Sequence, residues 1–130
     1  MFSPDGRWVA YVSTESGHKE VYVTSYPDVS GKWQVSNGYG DFPRWRADGR
    51  ELFFLTQDRL MAAEISVEGD ELQVGAITPL FTLRWPRGTR SVYDVTPDGQ
   101  QFLVNMWEAA PDATPVTIVV NWPARMRLGE

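Results

Sequence analysis

Residues able to do acid–base, nucleophilic or metal chemistry are few in these 130 residues. There is one histidine, His18, and no cysteine, which removes disulfides, thiolate metal sites and a thiol nucleophile together. A Ser-His-acid hydrolase needs its base held beside a serine. His18 lies in the polar stretch Thr14–Lys19, and no Gly-x-Ser-x-Gly elbow occurs in the sequence. It reads as a solvated loop histidine. One histidine and scattered carboxylates give no zinc spacing, and the acidic run Glu68–Glu71 reads as a hairpin turn because it lacks an Asp-x-Asp ladder. No catalytic residue, metal site or cofactor is expected, and the chain reads as non-enzymatic.

The other acidic residues point to architecture. Phe2–Ser13 (FSPDGRWVAYVS), Trp45–Thr56 (WRADGRELFFLT) and Val95–Asn105 (VTPDGQQFLVN) share one plan: a bulky apolar residue, a turn ending in Asp-Gly, then an apolar strand. The anchors Asp5, Asp48 and Asp98 stand 43 and 50 residues apart, the length of a four-stranded β-propeller blade. Pro presets the turn, Asp accepts local backbone hydrogen bonds and Gly takes the left-handed conformation, so each turn joins antiparallel strands. These aspartates are therefore turn residues in separate blades and not a catalytic set.

Strands are expected at Trp8–Ser13, Glu20–Tyr26 and Lys32–Ser36 in the first unit. The second gives Asp41–Arg46, Glu51–Thr56, Leu60–Val67 and Glu71–Thr78, and the third gives Gln101–Asn105 and Val116–Trp122. Strands after Asp-Gly are apolar on both faces and should lie between neighbouring sheets, whereas Trp33–Val35 and Leu72–Val74 alternate, leaving one face wet. Arg59–Ile65 is helix-prone, but the repeat makes it a strand. The fold class is all-β, about three four-stranded antiparallel blades of an incomplete ring, with units at 1–40, 41–83 and 84–130. Trp8, Tyr11, Tyr22 and Trp45 fall in repeat strands, where rings fill the space between blades.

The segment Phe42–Phe54 (FPRWRADGRELFF) resembles the Pro-x-Trp-Ser-Pro-Asp-Gly-Lys motif of TolB-like, WD-repeat-like propellers, and the other two copies match its Ser/Thr-Pro-Asp-Gly part. Tyr93–Gly99 followed by Pro115–Pro123 resembles the C-termini of bacterial proteins that join a serine/threonine kinase or a regulatory region to such a propeller. The resemblance implies that Glu130 lies near the end of a longer polypeptide, and it points to the bacterial periplasm or extracytoplasmic face. No kinase motif is present. The expected function is protein or ligand binding, as the sensory region of an envelope or signalling protein. The alternative is an accessory propeller of a prolyl-oligopeptidase-like hydrolase whose catalytic domain lies elsewhere.

With a net charge of −5 nucleic acid is not an expected partner, and no apolar run is long enough for membrane insertion. Against that acidity Arg84, Trp85, Arg87 and Arg90 stand out in the connection between the second and third units. Propeller topology puts Asp5, Asp28, Asp48, Glu68, Asp70 and Asp98 on one face. It puts His18, Lys19, Arg59, Trp107 and the arginine connection on the other, which is the expected meeting point for an acidic ligand or protein partner. Closed propellers have four to eight blades. A three-blade wedge should expose two apolar sheet faces and seek a second copy, a dimer completing a six-bladed ring, or the remainder of a longer propeller.

Overall fold

The computed structural model describes residues 1–85, 88, 92–107 and 115–121, with the backbone alone described for 106–107 and 115–121. Its turns show why the repeat exists. Gly6, Gly49 and Gly99 have φ of 74°, 74° and 70°. Each donates its N–H to the carbonyl three residues back, on Ser3, Arg46 and Thr96, at 2.8–2.9 Å. Asp5, Asp48 and Asp98 each accept the N–H two residues on, from Arg7, Arg50 and Gln100, at 3.1, 3.0 and 2.9 Å. Ser3 and Thr96 add hydroxyl hydrogen bonds of 2.6 Å to their aspartates. In the middle copy that place belongs to Arg46, whose Nε lies 3.3 Å from Asp48.

Ten strands follow from the pattern: β1 (Trp8–Ser13), β2 (Glu20–Ser25), β3 (Lys32–Gln34), β4 (Asp41–Trp45), β5 (Glu51–Leu55), β6 (Arg59–Glu68), β7 (Glu71–Thr82), β8 (Tyr93–Val95), β9 (Gln101–Trp107) and β10 (Pro115–Asn121). They form three antiparallel sheets, β1-β2-β3, β4-β5-β6-β7 and β8-β9-β10. Only the middle sheet has four strands among the described residues, and the three do not close a ring. At the inner edge of β1 a single bridge, Phe2 to Val9, stands where β4 and β8 run in the other sheets. The helix-prone run is β6, paired along both sides. β9 runs two residues beyond the expected end at Asn105, so Trp107 belongs to the strand. Among the described residues no helix is long and apolar enough to cross a membrane.

The core is two layers between three sheets. Trp8, Ala10, Val21 and Val23 of the first sheet pack with Leu52, Phe54, Ala63 and Ile65 of the second. Phe53, Leu55, Leu60 and Ala62 pack with Tyr93, Phe102 and Val104 of the third. The rim strands alternate as expected, with Gln34 and Gln73 exposed between Trp33 and Val35 and between Leu72 and Val74. Among the described side chains the outermost faces differ from expectation because they are mixed, not apolar. On the first sheet Tyr11 stacks on Tyr22, and Lys32 lies over the Tyr22 ring while pairing with Glu15. On the third, exposed Asp94 and Gln101 flank Leu103, which is 46% exposed. Such faces tolerate water better than a bare apolar sheet.

Two predictions follow. A Cβ on Gly40 would press on Ser36 Oγ and Cβ, with Val21 Cγ2 at 3.0 Å. Both neighbours are buried, so Gly40→Ala should cost about 1–3 kcal/mol in a urea titration. Hydroxyl hydrogen bonds first, and backbone N–H groups second, hold Asp5 and Asp98 below the usual carboxylate range. Their contribution to stability is present above the unfolded-state value and is lost as pH falls through the lower folded value. Asp5→Asn with Asp98→Asn should therefore flatten the loss of stability below about pH 4, read as thermal midpoints across that range.

Candidate functional site

The wedge has two ends. At one lie the Asp-Gly turns, where Arg7 donates to Gly69 O at 2.8 Å and lies 3.7 Å from Asp70. A groove of about 990 Å³ opens there, lined by Trp8, Trp45, Arg46, Asp48, Arg50 and Glu64 among others. At the opposite end the β1–β2 loop meets the β3–β4 loop through Gly40 N–H to Lys19 O, and the chain leaving β7 is tied to the β5–β6 loop through Leu83 N–H to Asp58 O. His18, Lys19, Arg59 and Arg84 therefore share an end, as topology requires. Arg84 is exposed there. Trp85 is partly buried against the second core layer, so part of its ring is already used in packing. Arg87 and Arg90 lie outside the described residues, as does the side chain of Trp107.

Most basic side chains at this end lie against carboxylates. Lys19 Nζ lies 2.8 Å from Asp41 Oδ2, which raises the lysine pKa through the hydrogen bond and the charge. Arg59 lies 3.9 Å from Asp58. His18 Nε2 lies 2.8 Å from Oε1 of Glu20, whose side chain is fully buried. The Ser36 hydroxyl donates to Glu20 Oε2 and accepts Val21 N–H at 2.8 Å. Serine, histidine and carboxylate thus meet without making a nucleophile. The serine proton is directed at the carboxylate and not at the imidazole, and Ser36 is buried beneath the loop. The group closes the end of β2: the carboxylate engages the serine, which in turn caps the strand's backbone. Among the described residues no three metal-ligating side chains converge.

The inner edge of the middle sheet holds a second arrangement. Between Asp41 and Arg44 the register of β4 against β5 gains one residue, a β-bulge. Phe42 occupies it with φ of 52°, uncommon for a bulky residue. Two hydrogen bonds hold it there: its N–H donates to Asp41 Oδ1 at 2.9 Å, and its carbonyl accepts the Tyr93 hydroxyl at 2.7 Å. Burial pushes the Tyr93 hydroxyl well above its usual pKa, with Arg44 opposing that rise. Arg44 follows the bulge, 6.0 Å over the Tyr93 ring and bonded through Nη1 to Pro43 O at 3.1 Å.

No protein-family model matches the chain. It is 26% identical over 107 residues to an uncharacterized protein of Agrobacterium fabrum, covering 78% of this chain and 36% of that protein. Among solved structures, TolB from Acinetobacter baumannii superposes with a TM-score of 0.67 at 14% identity, over 95% of this chain and 29% of that one. The fold is that of TolB-like β-propeller blades. An oligogalacturonate lyase from Vibrio parahaemolyticus superposes at 0.63 with 18% identity, over 99% of this chain and 36% of that one. The chain thus spans about a third of the proteins it resembles, and one protein of this architecture is a lyase.

Nothing local in the sequence marks the Glu20–Ser36 contact, the bulge at Phe42 or the reach of Tyr93 to it. One signal is available: Glu20 and Asp41 are carboxylates at the first positions of strands whose next residues are apolar, and Glu20 follows directly on His18 and Lys19. Tyr93→Phe removes the donor to Phe42 O and should lower stability by about 1 kcal/mol in denaturant titration, with no change in far-ultraviolet dichroism.

Proposed function

We propose that these blades form part of a larger propeller that binds an acidic ligand or protein partner and does no chemistry itself. The units are 1–40, 41–83 and 84–130. The binding end is the one opposite the Asp-Gly turns, with Arg84, Trp85, Arg87 and Arg90 supplying the contacts. The observation carrying this reading is Arg84: it is exposed at that end with no carboxylate within salt-bridge distance among the described residues, while Lys19, His18 and Arg59 there are each paired. The buried, carboxylate-directed Ser36 supports the non-enzymatic part. The setting is the binding region of a bacterial envelope or signalling protein, with the ring completed by a second copy or by further blades of a longer chain.

Light scattering on the purified chain should give twice its 14.7 kDa mass. A monomer with a folded spectrum overturns self-association. A fluorescent polyglutamate peptide should bind saturably and more weakly as salt rises. Arg87→Ala with Arg90→Ala should weaken that binding roughly tenfold or more. Absent binding, or equal binding by the variant, overturns the arginine end.

A further inference from the structure

Arg44 is the described cation whose setting the proposed function does not explain. Arg7, His18, Lys19, Lys32, Arg46 and Arg59 each have a carboxylate oxygen within 4 Å. Among the described residues Arg44, Arg50 and Arg84 do not, and of these Arg50 and Arg84 are exposed whereas Arg44 is partly buried. A guanidinium keeps its charge in any protein setting, so partial burial without an anion costs free energy that water only partly restores. Among the described residues its hydrogen bond goes to the adjacent Pro43 carbonyl, and most of its five donors meet no acceptor there.

Its position is also fixed from several sides. The extra residue in β4 sets which way Arg44 projects, and the Asp41 and Tyr93 hydrogen bonds hold the unusual Phe42 backbone beside it. The Tyr93 ring lies under the guanidinium and favours its charge. β4 is the end strand of its sheet, the inner edge that faces the axis in a propeller.

We propose that Arg44 is an oxyanion-binding centre on the inner edge of the middle sheet, taking a carboxylate or phosphate group through its planar fork with Tyr93 as the platform. Both groups present two oxygens at the spacing the fork matches. The centre is separate from the arginine connection and does not depend on it.

The test titrates the chain with sodium acetate and, separately, with inorganic phosphate, against sodium chloride at matched ionic strength, following intrinsic fluorescence. Saturation beyond chloride by either anion supports the site, and the anion that saturates assigns the group. Arg44→Met should weaken that Kd about tenfold or more, and Arg44→Lys, which keeps the charge but loses the fork, by several-fold. Arg50→Ala should leave it unchanged. Should Arg44→Met fail to fold, Arg44→Lys with an unchanged dichroism spectrum carries the test. No saturation by either anion, an unchanged Kd in the Arg44 variants, or an equal loss in Arg50→Ala overturns the proposal.

Discussion

Leu52 and Phe54 project from one side of β5, and Phe53 and Leu55 from the other; all four are buried. A strand built this way cannot be satisfied by one layer. Each pair of rings and branched chains needs its own sheet, so the middle blade exists only as the centre of a sandwich. The other features depend on this constraint. It fixes the spacing of the sheets and sets β4 and β8 in neighbouring sheets. Tyr93 is thereby brought within reach of a carbonyl 51 residues earlier in the chain.

The polar groups around that apolar frame are mixed in sign at both ends. Asp5, Asp48 and Asp98 share the turn end with Arg7, Arg46 and Arg50, and Lys19, His18 and Arg59 share the loop end with Asp41, Glu20 and Asp58. Local pairing joins much of this charge. Arg7 meets Asp70 across two sheets at the turn end, and Lys19 meets Asp41 across two sheets at the loop end. The first is exposed and worth little by itself, and the second joins a half-exposed lysine to a buried aspartate; both link neighbouring sheets. The charge left over is therefore more informative than the net charge of the chain.

The fold was legible because its signals are local. Asp-Gly spacing, period-two alternation and runs apolar on both faces identify β1, β2, β5, β6 and the rim strands within a few residues of their ends, and overrule the helical propensity of Arg59–Ile65. The site was much less legible. Glu20 and Ser36 meet because two loops cross, and the bulge at Phe42 depends on a tyrosine in another sheet. Neither relation has a period or a motif. The mixed character of the outer faces was also hidden, since Tyr11, Tyr22 and Lys32 read individually as ordinary strand residues and become a polar-aromatic surface only when the register aligns them.

The bulge in β4 makes chain length itself a determinant of which residues reach the axis. In a strand, a shift of one position exchanges the two faces. The single extra residue between Asp41 and Arg44 acts as a spatial frameshift placed inside an otherwise regular repeat. Upstream of it, side chains are in one phase with the Asp-Gly anchor; downstream, in the other. Copies of the repeat can therefore conserve their turn and their second strand residue for residue, yet present different side chains to the axis through the insertion or loss of one amino acid. A repeat with invariant packing thus carries an interchangeable inner surface.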